Sequence, residues 1–235
     1  PKEQRNLVEG AVDYYFQAEP QIQAVILKSR YSTMPDERKG KLIFGGKAND
    51  KVRENGIWYA VDLMMNQDAS LYLDTANVRA WAIEHLHGKH VLNTFAYTGS
   101  YGVAAKAAGA DPVIHLDLNQ RFLDMARKSY ALNGFQYTAG EFLAGDFFTW
   151  ISHLKRTGEL FDCVFLDPPF FSVTPKGRVD QANESHRLVN KVRPLIREYG
   201  WIVAINNSLF TTGEAYMETL NNLCADGYLE IEELI

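Results

Sequence analysis

The sequence predicts an α/β fold, a doubly wound parallel sheet preceded by a small β-rich extension, and three observations carry that reading. From residue 75 onward, helical and strand patterns alternate with the regularity of βαβ units. Cys163 to Leu166 is an unbroken apolar run, as expected of a central strand covered on both faces. A glycine turn, Tyr97-Thr98-Gly99, follows the first apolar strand, and the next strand closes on an acid, Asp117.

Taken in order, Asp74 is positioned to cap a helix running to about Leu86, and Val91, Leu92 and Phe95 make the first strand. The alanine-rich stretch Ser100 to Ala108 reads as a helix stopped by Gly109. Val113 to Leu118 is the second strand, and Asn119 caps a helix from Gln120 to Leu132 that ends at Asn133-Gly134. Phe142-Leu143 leads through Gly145-Asp146 into a helix reaching Leu154. The fourth strand, Cys163 to Leu166, ends at Asp167-Pro168-Pro169. A helix near Gln181 to Arg197, a strand from Trp201 to Ile205, a helix from Gly213 to Ala225 and a strand from Tyr228 to Ile235 bring the expected sheet to six strands.

The first 72 residues have a different texture. They offer an amphipathic helix (Leu7, Val8, Val12, Tyr15, Phe16), a strand at Val25 to Leu27, and a hairpin announced by Asn55-Gly56 between Val52 and Ile57-Trp58. The expected organisation is therefore an extension over 1–72 and a sheet domain over 73–235.

Composition narrows the function classes. At 235 residues, with 46% hydrophobic and 23% charged content, the chain can bury one substantial core, which excludes disorder and fibre. No uncharged apolar stretch reaches the roughly 18 residues of a membrane-spanning helix, and Pro1, Lys2, Glu3, Gln4 and Arg5 lack a signal-peptide pattern, so the expected location is cytoplasmic. Cys163 and Cys224 form neither a disulfide framework nor a thiolate metal site, and the six histidines show no ligand or triad spacing. The net charge is −5, yet two basic runs stand out. One comprises Lys28, Arg30, Arg38, Lys39, Lys41, Lys47, Lys51 and Arg53 against Asp36, Glu37 and Asp50. The other comprises Lys176, Arg178, Arg187, Lys191, Arg193 and Arg197 against Asp180 and Glu184. Each is either a solvated face or a phosphate-binding surface.

An open α/β sheet binds its ligand at the carboxyl ends of its strands. The residues there are Tyr97-Thr98-Gly99-Ser100-Tyr101-Gly102, Asp117 and Asp167-Pro168-Pro169-Phe170. Tyr97 stands where a dinucleotide fingerprint has its first glycine, which counts against a pyrophosphate cradle. Asp117 can bind a ribose diol, which suits NAD and S-adenosylmethionine alike. Asp-Pro-Pro-Phe separates the two. It is of no use to a dehydrogenase, but it suits methyl transfer to a planar nitrogen heterocycle: the prolines stiffen the backbone, Asp167 accepts hydrogen bonds and Phe170 stacks on the ring.

These motifs, in order, resemble those of the class I methyltransferases that modify bacterial large-subunit ribosomal RNA: Phe95-Ala96-Tyr97-Thr98-Gly99-Ser100, Leu116-Asp117-Leu118-Asn119, Ala131-Leu132-Asn133-Gly134, Gly145-Asp146-Phe147 and Asp167-Pro168-Pro169-Phe170-Phe171-Ser172. The resemblance runs from about Gly45 to Ser208. It implies a Rossmann-like methyltransferase sheet and S-adenosyl-L-methionine as cofactor. Phe95, Ala96, Tyr97, Thr98, Gly99 and Ser100 are then expected to line its methionine end. Asp117, followed by Leu118 and Asn119, is expected to hold the ribose, and Asp146 with Phe147 to flank the adenine. Upstream, Leu71-Tyr72-Leu73-Asp74 followed by Arg79 is similar to the family's "F-L-D-x-R-x-x-R" segment, with Ala76 where that pattern has its first arginine. On this resemblance Tyr72, Asp74 and Arg79 join the expected cofactor contacts, and Asp167 serves both ligands.

Methylation at cytosine C5 needs a thiolate at the end of strand four or five, and neither position offers a cysteine. The fifth strand instead ends in Ile205-Asn206-Asn207-Ser208, similar to the guanine-N7 branch. There the nitrogen lone pair needs no base catalyst, and Asn206 or Asn207 is expected to read the guanine edge. The expected partner is ribosomal RNA, held by the two basic runs. A protein or small-molecule acceptor, and a non-catalytic binding module, are the alternatives. The sequence ends after its expected sixth strand, without the seventh, antiparallel strand that the family's sheet carries.

Overall fold

The computed structural model describes residues 2–29, 31–208 and 211–235. The chain forms two compact units: residues up to Val52 together with Ala60–Leu71, and Arg53–Tyr59 together with Tyr72–Ile235.

The first unit holds α1 (Lys2–Ala18), β1 (Val25–Leu27), α2 (Pro35–Lys39) and β2 (Lys41–Phe44). β1 and β2 pair antiparallel, Val25 opposite Phe44 and Leu27 opposite Lys41. The ring of Phe16 on α1 lies 4.0 Å from that of Phe44. β2, at Lys41-Leu42-Ile43-Phe44, was not expected from the sequence. Gly45 follows it at φ +83°, where a Cβ would stand 2.0 Å from the carbonyl oxygen of Gln23, so only glycine fits.

The expected hairpin forms between β3 (Lys51–Glu54) and β4 (Ile57–Ala60). Asn55 (φ +50°) and Gly56 (φ +82°) take the two left-handed positions that such a turn demands. Its tip, residues 53–59, belongs with the sheet unit. The reason is local bonding. The Asn133 amide accepts from the Trp58 N–H at 2.9 Å and donates to the Trp58 carbonyl at 2.7 Å, and Glu54 pairs with Arg79.

The second unit continues with a 3-10 turn (Leu73–Thr75), α3 (Ala76–His85), β5 (Val91–Thr94), α4 (Ser100–Ala107), β6 (Val113–Asp117), α5 (Gln120–Asn133), β7 (Phe142–Ala144), α6 (Phe147–Thr157) and β8 (Phe161–Leu166). It ends with β9 (Phe171–Thr174), β10 (Gly177–Asp180), α7 (Gln181–Val192), β11 (Ile196–Ala204) and α8 (Gly213–Cys224). Five strands form one sheet in the order β11-β8-β5-β6-β7, all parallel. Alternate residues of the central strands enter opposite cores. Leu92 and Val164 join Phe147, Ile151, Leu188 and Val192 on one face, whereas Val91 and Phe165 join Trp81, Ala104 and Ala105 on the other.

Three expectations need correction, and one hairpin is new. Asp74 lies inside the 3-10 turn, so α3 begins at Ala76 with Thr75 at its N-cap and no side-chain cap. The helix expected to reach Arg197 stops at Val192. Pro194 lacks the N–H that a continuing helix needs, and Ile196 already belongs to β11. β9 and β10 form an unforeseen antiparallel hairpin whose two-residue loop, Pro175-Lys176, uses proline at its favoured turn position. Finally, residues 228–235 are irregular, so the described sheet has five strands and not six. A strand exists only through a ladder to a neighbour, and among the described residues this segment has none. The indole of Trp201 does donate to Glu232 at 2.6 Å.

Candidate active site

The strand order reverses between β5 and β8, and it is above the carboxyl ends of strands at such a point that an open parallel sheet binds its ligand. The turn after β5 is unusual in backbone terms. Phe95 (φ +52°), Tyr97 (φ +50°) and Gly99 (φ +79°) are all left-handed within five residues. For two non-glycine residues this costs energy, and such conformations persist where their surroundings over-determine them. Here the Tyr97 N–H donates to Asp117 Oδ2 at 2.8 Å, and its ring meets Phe122 at 4.6 Å and Tyr72 at 5.6 Å. Phe95 stacks on Phe147 at 4.5 Å and 25°. Ala96, Thr98 and Gly99 are buried, and Ser100 opens α4.

Asp117 ends β6 with its second oxygen accepting from the Asn119 N–H at 2.8 Å. Burial raises its carboxyl above the ordinary value, while the Asn119 and Tyr97 donors pull the other way. Each oxygen makes one such bond and keeps a further acceptor lobe, which is what a vicinal diol requires. Asn119 also caps α5 by accepting from Arg121 N at 3.0 Å, and Leu118 beside it is exposed.

The two glycines of the turn serve packing. A Cβ on Gly102 would fall 2.3 Å from His115 Cε1, and one on Gly99 would fall 2.5 Å from the Ala126 Cβ. His115 is buried beneath them, stacked on Phe142 at 4.9 Å with its Nε2 3.0 Å from the Tyr130 hydroxyl. Burial drives its pKa down to about 3, with Lys106 and Arg127 adding to the effect, so it sits as a neutral ring.

On the other side of the crevice, Asp167 closes β8. Its Oδ2 accepts from the Tyr101 hydroxyl at 2.9 Å and its Oδ1 from Asn207 Nδ2 at 3.0 Å. Asn207 Nδ2 also donates to the Pro168 carbonyl at 2.9 Å. Burial pushes the Asp167 carboxyl up to about 6, Tyr101 and Asn207 lower it, and the charge of Asp74 raises it. Pro168 is buried, Pro169 is exposed, and Phe170 is 38% exposed, its ring partly open to solvent. The Phe170 carbonyl accepts from Gln181 N, which ties the loop to α7.

Other expected contacts also have work in the fold. Arg79 has no exposed surface. It holds both Glu54 oxygens at 2.7 and 2.8 Å, and the Tyr72 carbonyl and Thr75 hydroxyl at 2.9 Å each. It therefore anchors the Tyr72 segment from below and offers no face to a cofactor. Asn206 braces its own loop, donating to the Thr211 carbonyl at 3.2 Å and accepting from Ser208 N at 3.1 Å. Asp146 caps α6, accepting from Thr149 N at 3.0 Å, and takes the Thr174 hydroxyl at 2.5 Å. Burial opposes its ionisation, yet the hydrogen bonds from Thr174 and Thr149 prevail and hold its carboxyl below the ordinary value. The sequence pattern assigns no role to Thr174 or Tyr101. The available signal for Tyr101 is a tyrosine, a polar handle on an apolar ring, within an otherwise small-residue turn.

The basic runs are partly neutralised. Lys28 donates to the Asn66 and Asp68 carbonyls, Lys47 pairs with Asp50, and Arg30 lies outside the described residues. In the second run Arg178 and Arg187 share Glu184, Arg193 meets Asp226 and Arg197 meets Asp162. Lys155, on α6, has its pKa lowered first by burial and then by the charge of Lys191 on α7.

The donor set fits S-adenosylmethionine: a part-buried carboxylate with spare acceptor lobes at the end of β6, the rings of Phe95 and Tyr97 in the turn after β5, and the Ser100 hydroxyl at the start of α4. Comparisons with known proteins agree. A family model for S-adenosylmethionine-dependent methyltransferases matches residues 5–225. Ribosomal RNA large subunit methyltransferase I of Photobacterium profundum is 32% identical over 177 residues, covering 75% of this chain and 43% of that protein. Ribosomal RNA large subunit methyltransferase K/L of Psychrobacter cryohalolentis is 34% identical over 175 residues, covering 73% of this chain and 21% of that protein. The chain thus spans less than half the length of these relatives. Among solved structures, SMU.776 complexed with SAH has the same fold, with a TM-score of 0.83, 24% identity, and coverage of 92% of this chain and 56% of that one. With the family model covering nearly the whole sequence and the crevice furnished as that cofactor requires, the chain belongs to the S-adenosylmethionine-dependent methyltransferase family.

Proposed function

We propose that this chain transfers a methyl group to a base nitrogen of large-subunit ribosomal RNA, with guanine N7 as the favoured atom. The observation that carries the reading is the end of β8, where the Asp167 carboxylate is followed three residues on by the exposed Phe170 ring, with no thiol within the motif. Cys163 is fully buried inside β8 with its thiol raised by burial, and Cys224 lies at the end of α8, also raised by burial. Neither supplies the thiolate that cytosine-C5 chemistry needs.

When bound, the cofactor supplies a sulfonium-activated methyl group. Asp117 would hold the ribose, the 95–100 turn the methionine end, and Phe147 with Asp146 the adenine. Phe170 offers a face on which a base stacks, and stacking of this kind contributes about 1–3 kcal/mol. An N7-methylated guanine gains positive charge and loses no proton, so Asp167 serves as an ionised neighbour that stabilises the developing charge. Lys176, at the tip of the β9–β10 hairpin, and Lys191 would meet the phosphates around the presented base. With ribosomal RNA as the acceptor, the site of action is the cytoplasm.

A second reading is transfer to an exocyclic base amine. One observation favours it: a carboxyl near pKa 6 beside the Pro168 carbonyl is suited to accept N–H donors and to take the proton that an amine must lose. A nucleoside mass spectrum of ribosomal RNA incubated with the protein and S-adenosylmethionine distinguishes the two. 7-Methylguanosine supports the first reading, an N2- or N6-methylated base moves the assignment to the second, and the absence of any methylated nucleoside overturns both in favour of a protein or small-molecule acceptor.

A further inference from the structure

Asp167 is approached from several elements. Tyr101 reaches it from the first turn of α4, the helix that begins at the cofactor turn, and Asn207 from the segment after β11. Tyr101 is only 6% exposed, and its ring stacks on Phe165 of β8 at 5.3 Å and 21°, so its hydroxyl has little freedom to turn elsewhere. Asn207 uses the same amide nitrogen for Asp167 Oδ1 and for the Pro168 carbonyl. That nitrogen has two hydrogens, and both of these acceptors lie within the protein. The amide donors of Asn207 are therefore directed at the loop and not at an incoming base. The other groups facing the carboxylate are Asp74, from the 3-10 turn, and the hydroxyl of Tyr216 on α8, whose own pKa is raised first by burial and then by the Asp167 charge. Thr75 and Arg79 act on it through Tyr101.

We propose that Tyr101 and Asn207 are positioning residues that clamp the Asp167 carboxylate from opposite sides and so fix the acceptor loop against the cofactor turn. The proposal rests on the methyltransferase reading for its catalytic consequence, but its geometric core concerns the ligand-free protein. Burial alone favours the protonated acid, and the two donors favour the carboxylate, so Asp167 is ionised at neutral pH with their help. Removing the Tyr101 hydroxyl moves the titration of Asp167 to higher pH. Removing the Asp74 charge moves it to lower pH.

The test uses wild type, Tyr101→Phe, Asn207→Ala and Asp74→Asn. The Asp167 carboxyl is titrated by carbon NMR in the ligand-free protein, its signal assigned by its loss in Asp167→Asn. Cofactor affinity is measured by calorimetry, and kcat and KM on ribosomal RNA are measured from pH 5 to 8.5. Tyr101→Phe should raise the titration midpoint by about half a unit or more and lower kcat about tenfold, as expected for loss of one hydrogen bond to a charged group. Cofactor affinity and acceptor KM should change less than threefold, and the acid limb of the rate profile should follow the NMR midpoint. Asn207→Ala should act in the same direction, and Asp74→Asn should shift the midpoint the opposite way. An unmoved midpoint in both Tyr101→Phe and Asn207→Ala overturns the proposal, as does a rate loss matched by an equal loss of cofactor affinity. If wild type binds the cofactor but methylates no RNA, the functional reading fails, and the NMR titration still decides the clamp.

Discussion

The assignment of Arg79 as a structural anchor can be tested quantitatively. Its guanidinium donates to both oxygens of Glu54, to the Tyr72 carbonyl and to the Thr75 hydroxyl, and its side chain has no exposed surface, while that of Glu54 is 21% exposed. Removing one partner of a buried pair strands the other, so Arg79→Ala should destabilise the protein by about 3–5 kcal/mol. At about 2–4 °C per kcal/mol for a chain of this size, the melting temperature should fall by roughly 6–20 °C. Replacing both members by apolar residues of similar volume, Arg79→Met with Glu54→Leu, removes both charges, so the double variant should recover most of the loss. The assay is urea unfolding followed by far-ultraviolet circular dichroism, paired with calorimetric titration of S-adenosylmethionine. Because the guanidinium offers no surface to the cofactor, the double variant should bind it within about threefold of wild type, once the fold is restored. A cost below about 1 kcal/mol for Arg79→Ala, or a stable double variant whose cofactor affinity has dropped more than tenfold, would refute the anchor and restore Arg79 as a ligand contact.

Three further outcomes follow from particular contacts. S-adenosylmethionine should raise the melting temperature of wild type while NAD should not, and Asp117→Ala should abolish most of that shift, read by differential scanning fluorimetry, because a ligand that binds only the native state stabilises it by mass action. Gly102→Ala drives a Cβ to 2.3 Å from a fully buried imidazole, so it should cost about 1–3 kcal/mol; thermal denaturation of the double variant Gly102→Ala/His115→Ala should show a loss smaller than the sum of the single losses. Cys224→Ala should leave methyl transfer intact, and Cys163→Ala should lower stability modestly while preserving turnover per folded molecule; a folded variant of either that has lost activity would restore a covalent mechanism.

What could be read from residue order was whatever depends on short-range pattern. The apolar runs of β5, β6 and β8, the Asn119 cap, the left-handed stop at Gly134 and the Asn55-Gly56 turn are each set by a few neighbouring residues, and the structure shows all of them. The ordered motifs likewise fall at the carboxyl ends of the strands, because in a parallel sheet every β-to-α turn emerges on the same side. Residues whose roles depend on partners distant in sequence were not legible. Arg79 lies 25 positions from Glu54, and Tyr101 lies 66 from Asp167. The same holds for the glycines of the 99–102 turn: sequence places them in the expected cofactor turn, whereas the atom that forbids a side chain at Gly102 belongs to His115, on the neighbouring strand. The expected sixth strand failed for the same reason. The β-branched and aromatic residues at 228–235 suit a strand locally, but only a neighbouring backbone can complete its hydrogen bonds, and which backbone lies beside it is decided by the tertiary fold.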